Sequence, residues 1–337
     1  PDGVSLGPDK WQDTFIPTYV SDFPEYFLNA IQTEHLIRDI SPITTDLYGT
    51  KHGRETHPNF PDGKPAPAPK MWVTEVNFDV NGADPGDLKA YLAGGQKPVA
   101  PGITGSDADH IKAKAILRYL TSGVNKGVDR FYFFAAKDDN PLGLGLISTR
   151  FYDSLKANKN AYPIDDAAVT SPTMLAVRRL VAAMPDALIK HPRGLSLLSV
   201  SDTHGHRQFD GDPATATKTP NPHPPLYNRD VVGFFPFQIS DTRFAVPVYV
   251  MTRNLARLYK PNAPATDPTR FDLPDEHYRL AIAGLRSAKA RFALYDPMTG
   301  RTTTLRPVQM SAAQTVFDLP LSDSPRLLLI NEAPAAR

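Results

Sequence analysis

The chain has 337 residues, of which 41% are hydrophobic and 22% are charged, and its formal net charge is +1. These values are typical of a globular protein with one large or two medium domains, and they argue against a nucleic-acid or membrane-surface binder. No apolar run approaches the roughly 20 residues needed to span a bilayer. Cysteine is absent, which excludes disulfides, thiolate metal sites and a cysteine nucleophile.

Strands and helices alternate in the first half of the chain. Strands are predicted at 1–8, Ile40–Tyr48, Met71–Val76 and Gly127–Asp139, and helices at Asp22–Ile37, Asp107–Thr121 and Thr170–Met184. Gly123 is predicted to end the second helix, and Ser171 with Pro172 to begin the third. This alternation favours a parallel sheet with crossover helices.

The strand Met71–Val76 contains a single carboxylate, Glu75. Strand periodicity predicts Val73, Glu75 and Asn77 on one face, and Trp72, Thr74 and Val76 on the other. An unpaired buried charge is too costly to keep. Glu75 is therefore either satisfied by an arginine or backbone donors, or functional.

Polar residues also gather where the predicted parallel strands end. They are Asp46, Tyr48, Glu75, Asn77, Lys137 and Asp138. In a β/α-barrel this end of the sheet is the catalytic face.

Short strand-like segments follow residue 188, separated by turn signals such as Asp296–Gly300. They are predicted at Leu195–Ser201, Val231–Ile239, Phe244–Met251, Tyr278–Leu285, Ala290–Tyr295, Thr302–Pro307, Thr315–Leu319 and Arg326–Ile330. This pattern of short strands separated by turns predicts an antiparallel β-sandwich. The chain accordingly divides into residues 1–187 and 188–337.

Three short motifs follow one another in the first half of the chain: Asp46-Leu47-Tyr48, Trp72-Val73-Thr74-Glu75, and Phe134 four residues before Asp138. In their order and spacing they resemble motifs of the clan A retaining glycoside hydrolases, nearest to family 39. Those enzymes are (β/α)8 barrels with an attached β-sandwich, and their seventh strand ends in the nucleophile within a W-[IV]-T-E pattern. Trp72-Val73-Thr74-Glu75 is similar to that pattern. Asp46-Leu47-Tyr48 stands where the family commonly has His-x-Tyr, and Phe134 stands where it often has a tryptophan four residues before an aspartate, here Asp138.

The resemblance implies a retaining hydrolase acting on a poly- or oligosaccharide, with Glu75 as nucleophile and Tyr48 orienting it. It implies substrate contacts from Asp46, Asn77, Phe134, Lys137 and Asp138. It implies no cofactor and no metal. It also implies export, and the composition rich in Ala, Pro and Arg is typical of a GC-rich bacterial genome.

By this resemblance the chain begins at strand five of the barrel, so its fold would be the C-terminal half of a TIM barrel followed by the sandwich. The acid/base glutamate would then lie on an N-terminal part. Four strands cannot close a barrel that usually needs roughly 250 residues. A heterodimer with a separate N-terminal chain, or a missing segment, is therefore expected.

Two other readings stay open. The replacements at Asp46 and Phe134 favour a non-catalytic carbohydrate-binding or scaffold subunit with a degenerate glycosidase fold. His204 and His206, followed by Asp210 and Asp212, have ligand types that suit zinc or manganese, although a solvated loop is favoured there.

His52 and His57 lie on the predicted loop after Tyr48. They could line a subsite of the proposed active site, but an ordinary surface loop is the default.

Overall fold

The structure is a computed structural model that describes residues 71–76, 105–133, 136, 145–147, 149–159, 170–184, 192–201, 207–209, 226–227, 232–251, 255, 258–286 and 289–332. The predicted strands at 1–8 and Ile40–Tyr48 and the predicted helix Asp22–Ile37 lie outside the described residues. Those three elements stay predictions.

The first described elements form a β-α-β unit. Strands β1 (Met71–Val76) and β2 (Val128–Phe133) pair in parallel, and helix α1 (Gly105–Asn125) lies between them in the chain. Apolar side chains of the helix and of β1 meet in one cluster, which contains Val76, Ile111, Ala115, Ile116 and Tyr119. The predicted parallel connection is confirmed for this unit. Among the described residues it is the one parallel pair, so the half-barrel is not confirmed.

Helix α1 is longer than predicted, because Gly123 does not end it. The helix continues to Asn125, and the positive φ of 101° belongs to Gly127, in the turn that leads into β2. A Cβ on Gly123 would lie 2.2 Å from Cζ of Phe131. Gly123 therefore lets the helix approach β2 closely, and the expectation that it is a helix stop was wrong.

Two further helices follow. Helix α2 (Thr149–Ala157) was not predicted, whereas helix α3 (Pro172–Ala183) was. Ser171 caps α3, since its hydroxyl accepts the amide of Met174 at 3.2 Å, and Pro172 occupies the first turn. The serine supplies an acceptor for a backbone amide of the first turn, and the proline has no N–H that would need one. The helix therefore begins as the sequence predicts.

The second half of the chain consists of strands. They are β3 (Ser196–Ser201), β4 (Arg207–Phe209), β5 (Leu226–Tyr227), β6 (Val232–Phe234), β7 (Phe237–Ser240), β8 (Arg243–Val250), β9 (Glu276–Ala283), β10 (Arg291–Asp296), β11 (Arg301–Leu305), β12 (Gln309–Met310), β13 (Thr315–Leu321) and β14 (Arg326–Asn331). One antiparallel sheet has the order β11-β10-β14-β8-β6, with β7 also paired to β8. The other has the order β12-β13-β9-β3.

The two sheets enclose a common apolar core, as a β-sandwich does. Tyr278, Leu280 and Ile282 of β9 are buried with a spacing of two, and Phe292 of β10 meets Phe317 of β13 edge to face at 4.8 Å. One face of each sheet is therefore apolar and packs on the other sheet. The predicted antiparallel sheets are confirmed, but the predicted strand Val231–Ile239 is two strands, β6 and β7, and β4, β5 and β12 were not predicted. The domain boundary after residue 187 stays a prediction.

Helix α1 also contacts the sandwich, through a stripe of polar side chains. The contacts are Arg270 to Asp107 at 2.6 Å, His110 to Asp272 at 2.7 Å, Lys114 to Asp323 at 2.7 Å, and Arg118 to the carbonyl of Met251 at 2.6 Å. Every side chain from Ile111 to Tyr119 is buried. Because a buried charge must be paired to be tolerated, these contacts define how the helix sits on the sandwich.

Candidate active site at the end of strand β1

Glu75 is the fifth residue of β1, one residue before the strand ends. Val73 pairs with Phe131 of β2, and Val76 pairs with Phe133. Three steps along β1 therefore match two steps along β2, so β1 carries an extra residue at Thr74–Glu75. The shift marks a β-bulge or a similar irregularity, one of two along this pair, the other lying between Met71 and Trp72. β-Bulges redirect side chains and are over-represented beside active sites.

The bulge changes which residues share a face of β1. Val73 and Val76 both pack into the cluster against α1, although simple alternation predicts them on opposite faces. The expectation for Val76 was therefore wrong, and the extra residue in the strand is the physical reason. The backbone at Glu75 departs from the regular pleat at the position where the sequence predicts a functional carboxylate.

The opposite face of the β1–β2 pair is exposed and aromatic. Trp72 is 48% exposed and Tyr132 is 43% exposed, with their ring centroids 6.1 Å apart. The guanidinium of Arg130 lies 4.8 Å from the Trp72 ring centroid, and the indole N–H of Trp72 donates to Asp129 at 3.2 Å. Large exposed aromatic side chains held in place by polar neighbours are typical of a binding or contact surface.

The charge on this face is fixed. A hydrogen bond with Tyr132, together with the charge interaction between the two groups, raises the pKa of Arg130 above its ordinary value. Arginine is protonated in proteins even at its ordinary pKa, and this shift favours the protonated form further. Arg130 thus holds a permanent positive charge beside the Trp72 ring, where a cation–π contact orients it.

Most of the residues predicted for the site cannot be compared with the structure. Asp46, Tyr48, Asn77, Phe134, Lys137 and Asp138 lie outside the described residues, as do His52, His57 and the loop with His204 and His206. Of the predicted set, the structure gives the backbone position of Glu75. The roles assigned to all of these residues stay predictions.

The exposed face was not predicted as a feature of the site, although the sequence holds a signal for it. Arg130 and Tyr132 alternate with Phe131 and Phe133, so one polar and one apolar face could be read in β2. What the sequence does not give is the register that sets Arg130 opposite Trp72. That register depends on the pairing of strands separated by a whole helix.

Neither a metal site nor a membrane span is found in the part of the chain that the structure describes. Within it, no three His, Asp or Glu side chains are grouped so that they could hold a metal ion. No described helix is long and apolar enough to cross a membrane.

The comparisons with known proteins give only weak structural likeness. No known protein family matches the chain, and no curated protein matches it. The chain is similar to the catalytic domain of the GH30 xylanase C from Talaromyces cellulolyticus, with a TM-score of 0.33 and 10% sequence identity. The match covers 80% of this chain and 42% of the xylanase domain, so the chain spans less than half of that domain. A likeness at this level does not establish a shared fold.

Proposed function

We propose that this protein is a retaining glycoside hydrolase acting on a poly- or oligosaccharide, with Glu75 as its nucleophile. The observation that carries the proposal is the bulge at Thr74–Glu75, at the end of a strand that pairs in parallel with β2. The similarity of Trp72-Val73-Thr74-Glu75 to the family's seventh-strand motif supports it independently. In β/α sheets, catalytic side chains come from the carboxyl ends of the strands.

The mechanism requires two carboxyl groups, roughly 5–5.5 Å apart on either side of the sugar's anomeric carbon. Ionised Glu75 attacks that carbon and forms a glycosyl ester, while the bond to the leaving oxygen breaks. The second carboxyl group protonates this oxygen, then takes a proton from the water that hydrolyses the ester. Tyr48 would donate a hydrogen bond that orients Glu75.

The remaining predicted residues would bind the sugar. Asp46, Asn77, Lys137 and Asp138 have side chains that can hydrogen-bond to sugar hydroxyls. Phe134 could stack on the apolar face of the ring. The resemblance extends this proposal to a secreted or cell-envelope protein, and the composition extends it to a bacterial source.

The acid/base glutamate would lie outside the described residues, on the N-terminal part of the enzyme. Helix α1 packs on one face of the β1–β2 pair, and Trp72 and Tyr132 leave the other face exposed. Trp72 and Tyr132 would then be covered by the strands that complete the site.

Substitution of the nucleophile tests the proposal directly. Glu75→Gln removes the charge that forms the ester, and we expect kcat on 4-nitrophenyl glycosides to fall roughly 10⁴-fold or more. The measurement uses the protein with any polypeptide that co-purifies with it. Asp79→Asn, which changes another carboxylate just beyond the same strand, is the matched control and should stay within about twofold of wild type. Retention of a tenth or more of the activity by Glu75→Gln would remove Glu75 from this role.

A non-catalytic carbohydrate-binding subunit is the second candidate. The exposed Trp72 and Tyr132, with a charged group on each side, favour it because aromatic rings stack on sugar faces. This candidate predicts that polysaccharide binding is lost in Trp72→Ala and kept in Glu75→Gln, with no glycoside hydrolysed by wild type. Hydrolysis that depends on Glu75 would exclude it.

A further inference from the structure

The apolar core of the β-α-β unit contains residues from the second half of the chain. The cluster that holds Val76 of β1 and Ile111 of α1 also holds Leu255 and Phe271, and all four side chains are buried. Leu255 and Phe271 belong to the connection between β8 and β9, which carries the chain from one sheet of the sandwich to the other. A domain that folds by itself has its own core. The core of this unit is completed by a segment of the sandwich half.

Helix α3 shares a second apolar cluster with the sandwich. Leu180 of α3 and Leu117 of α1 lie in it together with Leu327 of β14, and all three side chains are buried. Arg179 of α3 also donates a hydrogen bond to the carbonyl of Met298, in the turn between β10 and β11. Two apolar clusters therefore cross the domain boundary that the sequence predicts after residue 187.

A buried ion pair adds a specific contact between the two halves. The ammonium of Lys114 lies 2.7 Å from a carboxylate oxygen of Asp323, and both side chains are fully buried. Lys114 also donates to the carbonyl of Phe271 at 2.7 Å, and Asp323 accepts the amide of Leu273 at 3.2 Å. The two charges compensate each other only in this arrangement, because a shifted helix would leave them buried and unpaired. The pair thus fixes the position of α1 on the sandwich.

We propose that the β-α-β unit, α3 and the sandwich form one cooperative folding unit, in which the second half of the chain is the structural support of the first. The boundary after residue 187 then divides the sequence but not the folded core. The sandwich is not a removable accessory module, since α1 and β1 lose part of their core when it unfolds. This inference does not depend on the proposed glycosidase function.

Urea unfolding of the full chain tests the proposal when each half is followed separately. Pulsed hydrogen exchange read by mass spectrometry gives one unfolding midpoint for α1 and another for β9 and β13 in the same sample. We expect the wild-type midpoints to agree within about 0.2 M urea, because a cooperative unit unfolds in a single transition.

Two variants, one in each half, show whether a loss in one half reaches the other. Lys114→Met leaves the buried Asp323 charge without its cation, and Phe317→Leu removes a ring that packs on Phe292 inside the sandwich. Both midpoints should fall together in each variant, by about 1 M urea or more in Lys114→Met and by about 0.5 M in Phe317→Leu.

Two further variants control for the lysine substitution. Lys156→Met changes an exposed lysine of α2 and should leave both midpoints within about 0.2 M of wild type. Lys114→Met combined with Asp323→Asn removes both charges and should recover at least about half of the loss, since no charge is then buried without its partner. This double variant carries the comparison if Lys114→Met alone does not fold.

A lower wild-type midpoint for α1 than for β9 and β13 would overturn the inference. A fall of the β9 and β13 midpoint alone in Phe317→Leu, with α1 unchanged, would overturn it as well. Neither result bears on the proposed function, because the measurement follows unfolding and uses no glycoside.

Discussion

The side chain of Asp272 shows how single residues stabilise the contact between α1 and the sandwich. It accepts a hydrogen bond from His110 at 2.7 Å and lies 3.4 Å from the ammonium of Lys114, which also pairs with Asp323. Burial by itself would raise the pKa of the Asp272 carboxyl, but the hydrogen bonds and charges of His110 and Lys114 outweigh it and hold the pKa below its ordinary value. Asp272 is therefore ionised in the folded protein.

The lowered pKa of Asp272 predicts a loss of stability in acid. Its contribution is fully present above the unfolded-state pKa of about 3.9 and is lost as the pH falls through the lower folded-state value. We expect Asp272→Asn to lower the free energy of unfolding by about 1–3 kcal/mol at pH 7. Urea unfolding of both proteins from pH 7 to pH 3 should show the difference shrinking below about pH 4. A gap that widens below about pH 4 would contradict the assignment.

The sequence allowed Glu75 to be singled out, because a carboxylate inside a run of β-branched and aromatic residues is chemically conspicuous. It did not allow the burial of Lys112, Lys114 and Arg118 to be predicted. A lysine on a helix is ordinarily solvated. The acceptors that make the burial of these basic groups tolerable, such as Asp323 for Lys114 and the carbonyl of Met251 for Arg118, are distant in sequence.

Helix α1 illustrates the same limit for a whole element. Its existence follows from apolar spacing, and the structure confirms it. The sequence predicts Ser106 or Asp107 as its cap, which is wrong, because the helix begins at Gly105 and both residues lie in its first turn. Its end does not follow, because Gly123 has two meanings in a helix. It can end the helix with a positive φ, or it can allow a neighbour to approach. The close contact with the Phe131 ring shows that Gly123 serves the second purpose. No local sequence pattern reveals that β2 packs against the helix at Gly123.

Substitution of Gly123 tests this close approach. Alanine is a better helix former by about 1 kcal/mol, but its methyl group would overlap the Phe131 ring, and overpacking typically costs about 1–3 kcal/mol. Since Phe131 stacks on Phe133 at 5.8 Å, its ring has little room to yield. Gly123→Ala should therefore lower stability by about 1 kcal/mol in urea unfolding, as the balance of those two effects.

The double variant provides the control for that measurement. In Gly123→Ala combined with Phe131→Leu, the ring that causes the overlap is gone. We expect the alanine to be neutral or stabilising relative to Phe131→Leu alone, because its helix propensity then acts without the clash. Equal destabilisation in both backgrounds would mean that the close approach is not the reason for Gly123.

The sandwich strands were the most predictable elements. Buried residues alternate with more exposed ones over the first half of β9 and the second half of β13, so the two-residue period is visible there in the sequence. The turn at Asp296–Gly300 carries its own signal, since Gly300 adopts a φ of 76° and its amide bonds to the carbonyl of Asp296 at 2.7 Å. The order of strands in each sheet, by contrast, depends on long-range pairing.

Across the whole molecule, α1 connects the β1–β2 pair to the sandwich. Two of its faces are apolar and contact the strand pair and α3, while the third presents charged groups to the sandwich. The bulge at Glu75 thus sits on a unit that is packed on one side and open on the other. The sequence predicted the unit and the sandwich separately, and the contact between them rests on pairs that no local pattern reveals.

The most direct measurement is to trap the covalent intermediate. A 2,4-dinitrophenyl 2-deoxy-2-fluoroglycoside carries a leaving group that departs without acid assistance, so it can react even where the acid/base is absent. The Glu75 carboxylate would form an ester with the anomeric carbon as dinitrophenolate leaves, and the fluorine slows hydrolysis of the ester.

Mass spectrometry of the tryptic peptide Met71–Lys89 gives the result. We expect one added fluoroglycosyl group on Glu75, kept in Asp79→Asn and absent in Glu75→Gln. Labelling at another carboxylate, or no labelling by any sugar of a panel that the protein binds, would contradict the assignment of Glu75 as a glycosidase nucleophile.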